Sequence, residues 1–180
     1  MTNDSLPVWR SMLFVPANNP AFIDKAHLRG ADAIILDLED GVPLAEKAAA
    51  RQGLAGAVAR VAASGADVVV RINASLQLAA ADPASAVSAG VRAICVPKVT
   101  GASLLQWISQ SVAELELERG LRAGEIGLIA LIETTAALAR VREIAGSTPR
   151  LVAITLGPED FSASAGMVPE ADSLLFPNQQ

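Results

Sequence analysis

The sequence is poor in cysteine and has no long uninterrupted apolar run. Its single cysteine, Cys95, excludes an intramolecular disulfide and fits a reducing cytoplasm. No stretch approaches the roughly 18 consecutive apolar residues that a membrane span needs. The opening residues, MTNDSLPVWR, lack the charged region and the apolar run of a secretion signal. We therefore expect a cytoplasmic protein with no membrane partner.

Basic residues neither dominate the composition nor cluster along the chain. The net charge is −5 at pH 7, and no basic stripe suggests nucleic acid as a partner. With 180 residues, of which 52% are hydrophobic, the chain can bury one sizeable core. We therefore expect residues 1–180 to form a single domain.

Short apolar runs alternate with longer amphipathic segments along the chain. The runs are rich in Val, Ile and Leu and show no polar alternation, which is typical of strands buried on both faces. They cover residues 11–15, 33–38, 68–72, 93–96, 127–132 and 151–156. Helices are predicted for residues 21–29, 44–63, 103–119 and 136–144, whereas residues 75–88 are ambiguous because Asp82-Pro83 interrupts them. This repetition predicts a parallel sheet with helical crossovers.

A charged residue follows each apolar run from the second to the sixth. Neighbouring members of this series lie about 30 residues apart, the length of one strand–helix unit. The series is Asp40, Arg71, Lys98, Glu133 and Asp160. In a parallel barrel all the carboxyl ends of strands point to one face, whereas an open doubly wound sheet gathers them only near its switch point. We therefore predict a (β/α)8 TIM-type barrel, and the lack of a GxGxxG motif after the first strand weakens the dinucleotide-binding alternative.

The number of units is smaller than a complete barrel needs. About six βα units are visible, whereas a closed eight-unit barrel typically takes about 250 residues. We therefore expect a partial barrel that lacks its C-terminal units and lid.

Six segments at or near the strands carry a resemblance to a known family. They are Arg10–Ala17 (RSMLFVPA), Asp32–Gly41 (DAIILDLEDG), Val70–Asn73 (VRIN), Val96–Lys98 (VPK), Ile132–Thr134 (IET) and Gly157–Phe161 (GPEDF). In this order they resemble the successive motifs of the citrate lyase β-subunit family of the HpcH/HpaI aldolase superfamily, which includes malyl-CoA and citramalyl-CoA lyases. The resemblance implies a Mg²⁺-dependent carbon–carbon lyase that cleaves a 3-hydroxyacyl thioester into a keto acid and an acyl thioester.

Two carboxylates are candidate metal ligands. Mg²⁺ prefers oxygen ligands and commonly uses one or two carboxylates plus water and substrate. Glu133 and Asp160, at adjacent predicted strand ends, fit that set, and the resemblance supports their role as ligands of Mg²⁺, with Mn²⁺ as an alternative ion. The alternative from the residues alone is solvated loop acids or a helix cap at Asp160.

The catalytic candidates are Arg71, Glu39 and Asp40. Arg71 ends an apolar strand and can grip a carboxylate or enolate in bidentate fashion, although a structural ion pair would use the same charge. Because side chains alternate across a strand, we expect only one of Glu39 and Asp40 to face inward, where it would orient metal-bound water or Arg71. Asp37 is a candidate for a buried structural partner.

The candidate substrate contacts lie on three other segments. Arg10 and Lys98 can bind the phosphates of coenzyme A or a substrate carboxylate. Backbone N–H groups around the turn Gly157, Pro158 and Glu159 can bind a keto-acid carboxylate. By analogy with the family, the substrate is an acyl-CoA or acyl-carrier-protein thioester, and the assembly is a homotrimer or a larger homo-oligomer.

Two alternative functions stay open from the sequence. A class II aldolase that acts on free pyruvate enolate carries histidines around its site, whereas the only histidine here is His27, in a predicted helix. A non-catalytic acyl-CoA-binding or assembly subunit would keep the barrel without turnover. The joint presence of Arg71, Glu133 and Asp160 argues against simple decay, and the expected lack of C-terminal units argues for it.

Overall fold

Six parallel strands form one sheet in which every strand lies beside its neighbours in sequence. The computed structural model describes residues 8–167, and the sheet order within them is β1-β2-β3-β4-β5-β6. The strands are β1 (Met12–Pro16), β2 (Ala33–Asp37), β3 (Asp67–Arg71), β4 (Val91–Val96), β5 (Gly127–Ile132) and β6 (Leu151–Leu156). All five neighbouring pairs are parallel. The predicted strand–helix repetition is therefore confirmed, with every predicted strand within about two residues of its observed position.

Helices connect successive strands, and two of them are long. The helices are α1 (Pro20–Lys25), α2 (Lys47–Ala62), α3 (Leu76–Ala79), α4 (Pro83–Ala86), α5 (Ala102–Glu118), α6 (Thr135–Ala139), α7 (Val141–Ala145) and α8 (Pro158–Ser164). Two 3₁₀ turns, Ala26–Arg29 and Leu44–Glu46, follow α1 and precede α2. The chain leaves α2 through Gly65, whose φ of 87° is a left-handed conformation that glycine adopts without steric cost.

The predicted helices were wrong in detail where the chain forms two short helical segments instead of one helix. The segment predicted as one helix over residues 136–144 forms α6 and α7, which meet at Arg140. The ambiguous region around Asp82-Pro83 forms the two short helices α3 and α4, because proline starts a new helix at its first position. The segment predicted over residues 21–29 is helical only to Lys25 and then tightens to a 3₁₀ turn.

The inner strands β2 to β5 are mostly buried on both faces, and alternation along each strand divides its side chains between two apolar layers. One layer packs against the helices and includes Ile34, Leu36, Val68, Val70, Ile94 and Ile132. The other lies on the opposite, concave side and includes Ala33, Ile35, Val69, Ala93, Cys95, Ile129 and Leu131. Because both layers are apolar, the strands read as continuous apolar runs rather than as alternating ones.

Strands β1 and β6 are the two edges of the sheet within residues 8–167. Strand β6 is also the least buried strand, and Ile154 in its middle is 36% exposed. Across the same residues, no helix combines the length and the apolar character that crossing a membrane requires.

Candidate functional site

The charged side chains of the site follow the concave layer to the carboxyl ends of the strands. Asp37 continues the alternation of Ala33 and Ile35, and Arg71 is two residues beyond Val69. Glu133 is likewise two residues beyond Leu131. Since side chains two residues apart share a face of a strand, these three groups leave the apolar layer at the same end of the sheet.

Arg71 is held in a bidentate ion pair by Asp37. The two residues are partners in the β2–β3 register, and Nε and Nη2 of Arg71 donate to Oδ1 and Oδ2 of Asp37, each at 2.7 Å. The carbon at the centre of the guanidinium lies 4.7 Å from the centre of the Phe14 ring, a cation–π distance. Although burial opposes ionisation, the hydrogen bonds from Arg71 keep the pKa of Asp37 below its usual value. The pair therefore fixes the plane of the guanidinium and leaves Nη1 directed at other groups.

A clamped turn follows β2 and positions Glu39. The Asp37 carboxylate also accepts the backbone N–H groups of Glu39 and Gly41, both at 2.8 Å. From the other side, Nζ of Lys47 donates to the carbonyl oxygens of Leu38 and Glu39 at 2.7 and 2.6 Å. The turn is thus fixed by two charged side chains, Asp37 at the end of β2 and Lys47 at the start of α2.

The prediction that only one of Glu39 and Asp40 faces the site was wrong. Oε1 of Glu39 lies 3.3 Å, and Oδ2 of Asp40 lies 3.5 Å, from Nζ of Lys98. Strand β2 ends at Asp37, so both acids lie in the turn, where strand alternation no longer applies. Glu39 is buried, whereas the Asp40 side chain is 60% exposed.

Lys98 links the acids of three strand ends. Its backbone N–H donates to Oε2 of Glu133 at 2.5 Å, and its Nζ lies 3.3 Å from Oδ2 of Asp160. Although burial works in the opposite direction, the charges of Glu39 and Asp40 raise the pKa of Lys98 above its usual value, so the side chain is a cation.

Two buried carboxyl groups in the site resist ionisation. Burial raises the pKa of Glu39 to about 7, in spite of the opposing charge of Arg71. Its Oε2 lies 3.2 Å from Nη1 of Arg71 but receives no well-directed hydrogen bond from the described residues. Burial also raises the pKa of Glu133, and the neighbouring charge of Asp160 adds to the effect. The site contains five carboxyl groups and two cations, Arg71 and Lys98; the carboxyl groups are those of Asp37, Glu39, Asp40, Glu133 and Asp160.

Glu133 and Asp160 have the chemistry of a magnesium site. Glu133 lies against the turn that follows β6, so closely that a Cβ atom at Gly157 would stand 2.5 Å from Cγ of Glu133. Asp160 lies in the first turn of α8, on the same side of the sheet. Within residues 8–167 no three acidic, histidine or cysteine side chains form a complete protein cage for a metal. Two carboxylates with open positions nevertheless suit Mg²⁺, which usually keeps water or substrate among its ligands.

A cavity of about 720 Å³ opens between these residues and the concave apolar layer. Asp40, Arg71, Glu133 and Asp160 line its polar part, while Cys95 lies in its apolar part as a buried side chain. This volume is within the range of small-molecule sites, and its combination of apolar walls with a few convergent charges is typical of them.

The turn predicted to bind a carboxylate also lines the cavity. Gly157, Pro158 and Glu159 are all part of its wall. The N–H of Gly157 is already donated to the carbonyl oxygen of Ile132 at 3.0 Å, and proline has no N–H. Of these three residues, Glu159 alone can therefore offer a backbone N–H to a ligand.

The structure does not bring Arg10 into the charged cluster. Arg10 precedes β1 and Asp32 precedes β2, so both lie at the amino ends of the strands. Nη2 of Arg10 pairs with Oδ1 of Asp32 at 2.6 Å, and the Arg10 side chain is 82% exposed. Arg10 lines the cavity at the amino ends of the strands, whereas the charged cluster lies at their carboxyl ends. This position does not support a contact with the reacting part of a substrate.

Two residues with a structural part in the site, Lys47 and Asp82, were missing from the predicted set. Asp82 is fully buried and accepts the backbone N–H and the Nδ2 of Asn73, both at 2.7 Å, which anchors the segment after Arg71. Asp37, in contrast, was predicted as a buried structural partner, and the structure confirms that role, because its side chain is buried and pairs with Arg71. An acid inside an apolar strand is the sequence signal of such a partner.

Comparison with known proteins finds relatives that match most of the chain. The chain is 35% identical over 179 residues to the citrate lyase subunit beta of Leuconostoc mesenteroides subsp. cremoris, covering 98% of this chain and 59% of that protein. It is also 35% identical over 162 residues to the L-malyl-CoA/beta-methylmalyl-CoA lyase of Rhodobacter capsulatus, covering 88% of this chain and 51% of that protein.

A solved structure has the same fold. The protein CitE from Mycobacterium tuberculosis, in complex with magnesium, acetoacetate and coenzyme A, superposes with a TM-score of 0.67 at 31% identity, covering 89% of this chain and 54% of that one. The chain thus spans little more than half the length of these relatives. Residues 10–174 match the family model described as HpcH/HpaI aldolase/citrate lyase. The chain belongs to the HpcH/HpaI aldolase/citrate lyase family.

Proposed function

We propose that this chain carries the active site of a Mg²⁺-dependent lyase that cleaves a 3-hydroxyacyl thioester of the citryl-, malyl- or citramalyl-CoA type. The products are a keto acid and an acyl thioester. The observation that carries the proposal is the convergence of Arg71, Glu133 and Asp160 on one cavity at the carboxyl ends of the strands. Active sites of (β/α) barrels lie at this end of the strands.

Each group in the cavity has a place in such a reaction. Glu133 and Asp160 would hold Mg²⁺, which supplies Lewis-acid stabilisation to the oxygens of the keto-acid half when bound. Arg71 places a fixed positive charge where the thioester enolate develops negative charge, and its Asp37 partner prevents it from turning away. Glu39 and Asp40 orient Arg71 and Lys98 rather than contacting the reacting atoms.

The relatives support the choice of substrate class. One is named as a malyl-CoA lyase, and the CitE structure contains magnesium and coenzyme A. We therefore infer that an acyl-CoA or an acyl-carrier-protein thioester is the substrate and that the metal is Mg²⁺. As part of the same proposal, the protein works in the cytoplasm as a homotrimer or a larger homo-oligomer.

The test is cleavage of citryl-, malyl- and citramalyl-CoA, each with Mg²⁺ and with EDTA. We expect cleavage of one member, loss of activity in EDTA, and loss in Asp160→Asn. Arg60→Gln is a matched control, because it removes an exposed charge that pairs only weakly, at 3.4 Å, with Asp24 on the helical side. No cleavage of any member by folded protein, or full activity in Asp160→Asn, would contradict the proposal.

A further inference from the structure

Lys98 has an unusual backbone conformation for its residue type. Its φ of 47° makes it the one non-glycine residue with a positive φ among residues 8–167. A left-handed conformation is unfavourable for a residue with a Cβ atom, and such outliers persist where the surrounding structure enforces them. Here the conformation turns the N–H of Lys98 onto the carboxylate of Glu133.

The same conformation sends the side chain back across the ends of the strands. The Lys98 ammonium lies within 3.5 Å of carboxylate oxygens from three residues, namely Glu39, Asp40 and Asp160. The backbone and the side chain of one residue therefore contact both of the proposed metal ligands, Glu133 and Asp160.

The charges around Lys98 explain why a cation is needed there. The other cation of the site, Arg71, directs two nitrogens at Asp37 and its third, Nη1, at Glu39 and Asp40, at 3.2 and 4.0 Å. Among residues 8–167, Lys98 is therefore the one cation within 4 Å of the Asp160 carboxylate, and it shares Glu39 and Asp40 with Arg71. Its side chain is 39% exposed, so the ammonium can leave the acids for solvent while the backbone stays in place.

We propose that Lys98 is a tethered counter-ion that occupies the acidic site in the metal-free protein and is displaced from Asp160 when a divalent cation binds. The inference rests on the proposed metal site at Glu133 and Asp160. The ammonium offsets the mutual repulsion of the acids in the free protein, and it competes with the metal for the Asp160 carboxylate. Lys98 is thus a positioning residue that weakens metal binding.

The first test measures Mg²⁺ binding by titration calorimetry. Lys98→Met removes the charge but keeps the length and the backbone strain, and we expect it to bind Mg²⁺ about tenfold more tightly than the wild type. Lys98→Arg keeps the charge and should bind like the wild type. Lys25→Met, which removes an exposed charge on α1, controls for the change in net charge and should also bind like the wild type. Equal or weaker binding by Lys98→Met would overturn the inference.

Lys98→Gly separates the charge from the backbone. If the charge is responsible, Lys98→Gly and Lys98→Met gain affinity together. A gain in Lys98→Gly alone would assign the effect to relief of the left-handed conformation and would overturn the counter-ion role.

A second test uses the wild-type protein and so does not depend on the folding of a variant. Reductive methylation followed by mass spectrometry reports the reactivity of each of the three lysines, with and without Mg²⁺. We expect Mg²⁺ to raise labelling of Lys98 several-fold, while labelling of the exposed Lys25 and of Lys47, which is held by two carbonyl oxygens, stays constant. Unchanged or reduced labelling of Lys98 would refute displacement.

The two proposals fail in different ways. If the wild type and Asp160→Asn both bind no Mg²⁺, the metal site itself is wrong and the role of Lys98 falls with it. If the wild type binds Mg²⁺ and Asp160→Asn does not, yet Lys98→Met gains nothing, the metal site stands and only the counter-ion role is wrong.

Discussion

The close approach of Gly157 to Glu133 makes Gly157→Ala a sharp probe of the site. A Cβ atom at position 157 would lie 2.5 Å from Cγ and 2.7 Å from Oε1 of Glu133. Cγ is near the backbone, so the clash needs a new χ1 rotamer of Glu133 rather than a small shift of the carboxylate. The φ of −91° at Gly157 is open to alanine, which makes the effect purely steric.

The expected cost follows from overpacking a buried side chain. Such changes destabilise proteins by about 1–3 kcal/mol, which corresponds to a lower Tm by about 2–10 °C for a chain of this length. Displacing Glu133 also breaks its hydrogen bond with the Lys98 N–H. We therefore expect two losses in Gly157→Ala. The free energy of unfolding falls in urea denaturation, and the affinity for Mg²⁺ falls by at least about tenfold in titration calorimetry.

Two further variants test the reasoning behind this prediction. Gly53→Ala, in α2, meets no atom within 4 Å and should be neutral or stabilising by up to about 1 kcal/mol. In a Glu133→Ala background the clash disappears, so Gly157→Ala should lose most of its cost in a double-mutant cycle. Two results would refute the steric explanation. One is that Gly157→Ala lowers the free energy of unfolding as much in the Glu133→Ala background as in the wild type, and the other is that its effect in the wild type is within about 0.5 kcal/mol of that of Gly53→Ala.

Three more predictions concern the ionisable groups. Asp37→Asn leaves the largely buried Arg71 side chain, which is 12% exposed, without its bidentate carboxylate and should lower the free energy of unfolding by about 3 kcal/mol in urea denaturation; a loss below about 0.5 kcal/mol would contradict this pairing. Burial raises the pKa of Glu39 to about 7, so the free energy of unfolding of the wild type should fall by up to about 3 kcal/mol, relative to that of Glu39→Gln, as the pH rises from 4.5 to 7. A difference between the two proteins that does not change with pH would contradict that shift. Glu116→Gln breaks a buried ion pair with Arg150 at the amino ends of the strands, so stability should fall by about 3 kcal/mol while Mg²⁺ affinity stays unchanged.

Much of the fold could be predicted because its signals are local. Runs of Val, Ile and Leu mark all six strands, and the charged residues that follow the second to the sixth run mark the edge where the site forms. The breaks at Arg140 and within residues 75–88 were harder, because short helices depend on caps and packing more than on a long periodic pattern.

The arrangement of the site depends on information that the local sequence does not carry. Since both faces of the sheet are apolar, the pattern could not show which face of β2 and β3 leads to the cavity, and so the Asp37–Arg71 pair was not recognised. The position of Glu39 and Asp40 depended on β2 ending at Asp37 rather than one residue later. The left-handed backbone of Lys98 has no local signal, because residues that adopt it readily are glycine, asparagine and aspartate rather than lysine.

The most direct test of the central claim is a crystal structure with Mn²⁺ and a keto acid, in which anomalous scattering locates the metal. We expect one strong peak, bound by carboxylate oxygens of Glu133 and Asp160, with the keto acid between the metal and Arg71 and with the Lys98 ammonium withdrawn from Asp160. A metal bound away from Glu133 and Asp160, or a keto acid that contacts neither the metal nor Arg71, would contradict the claim.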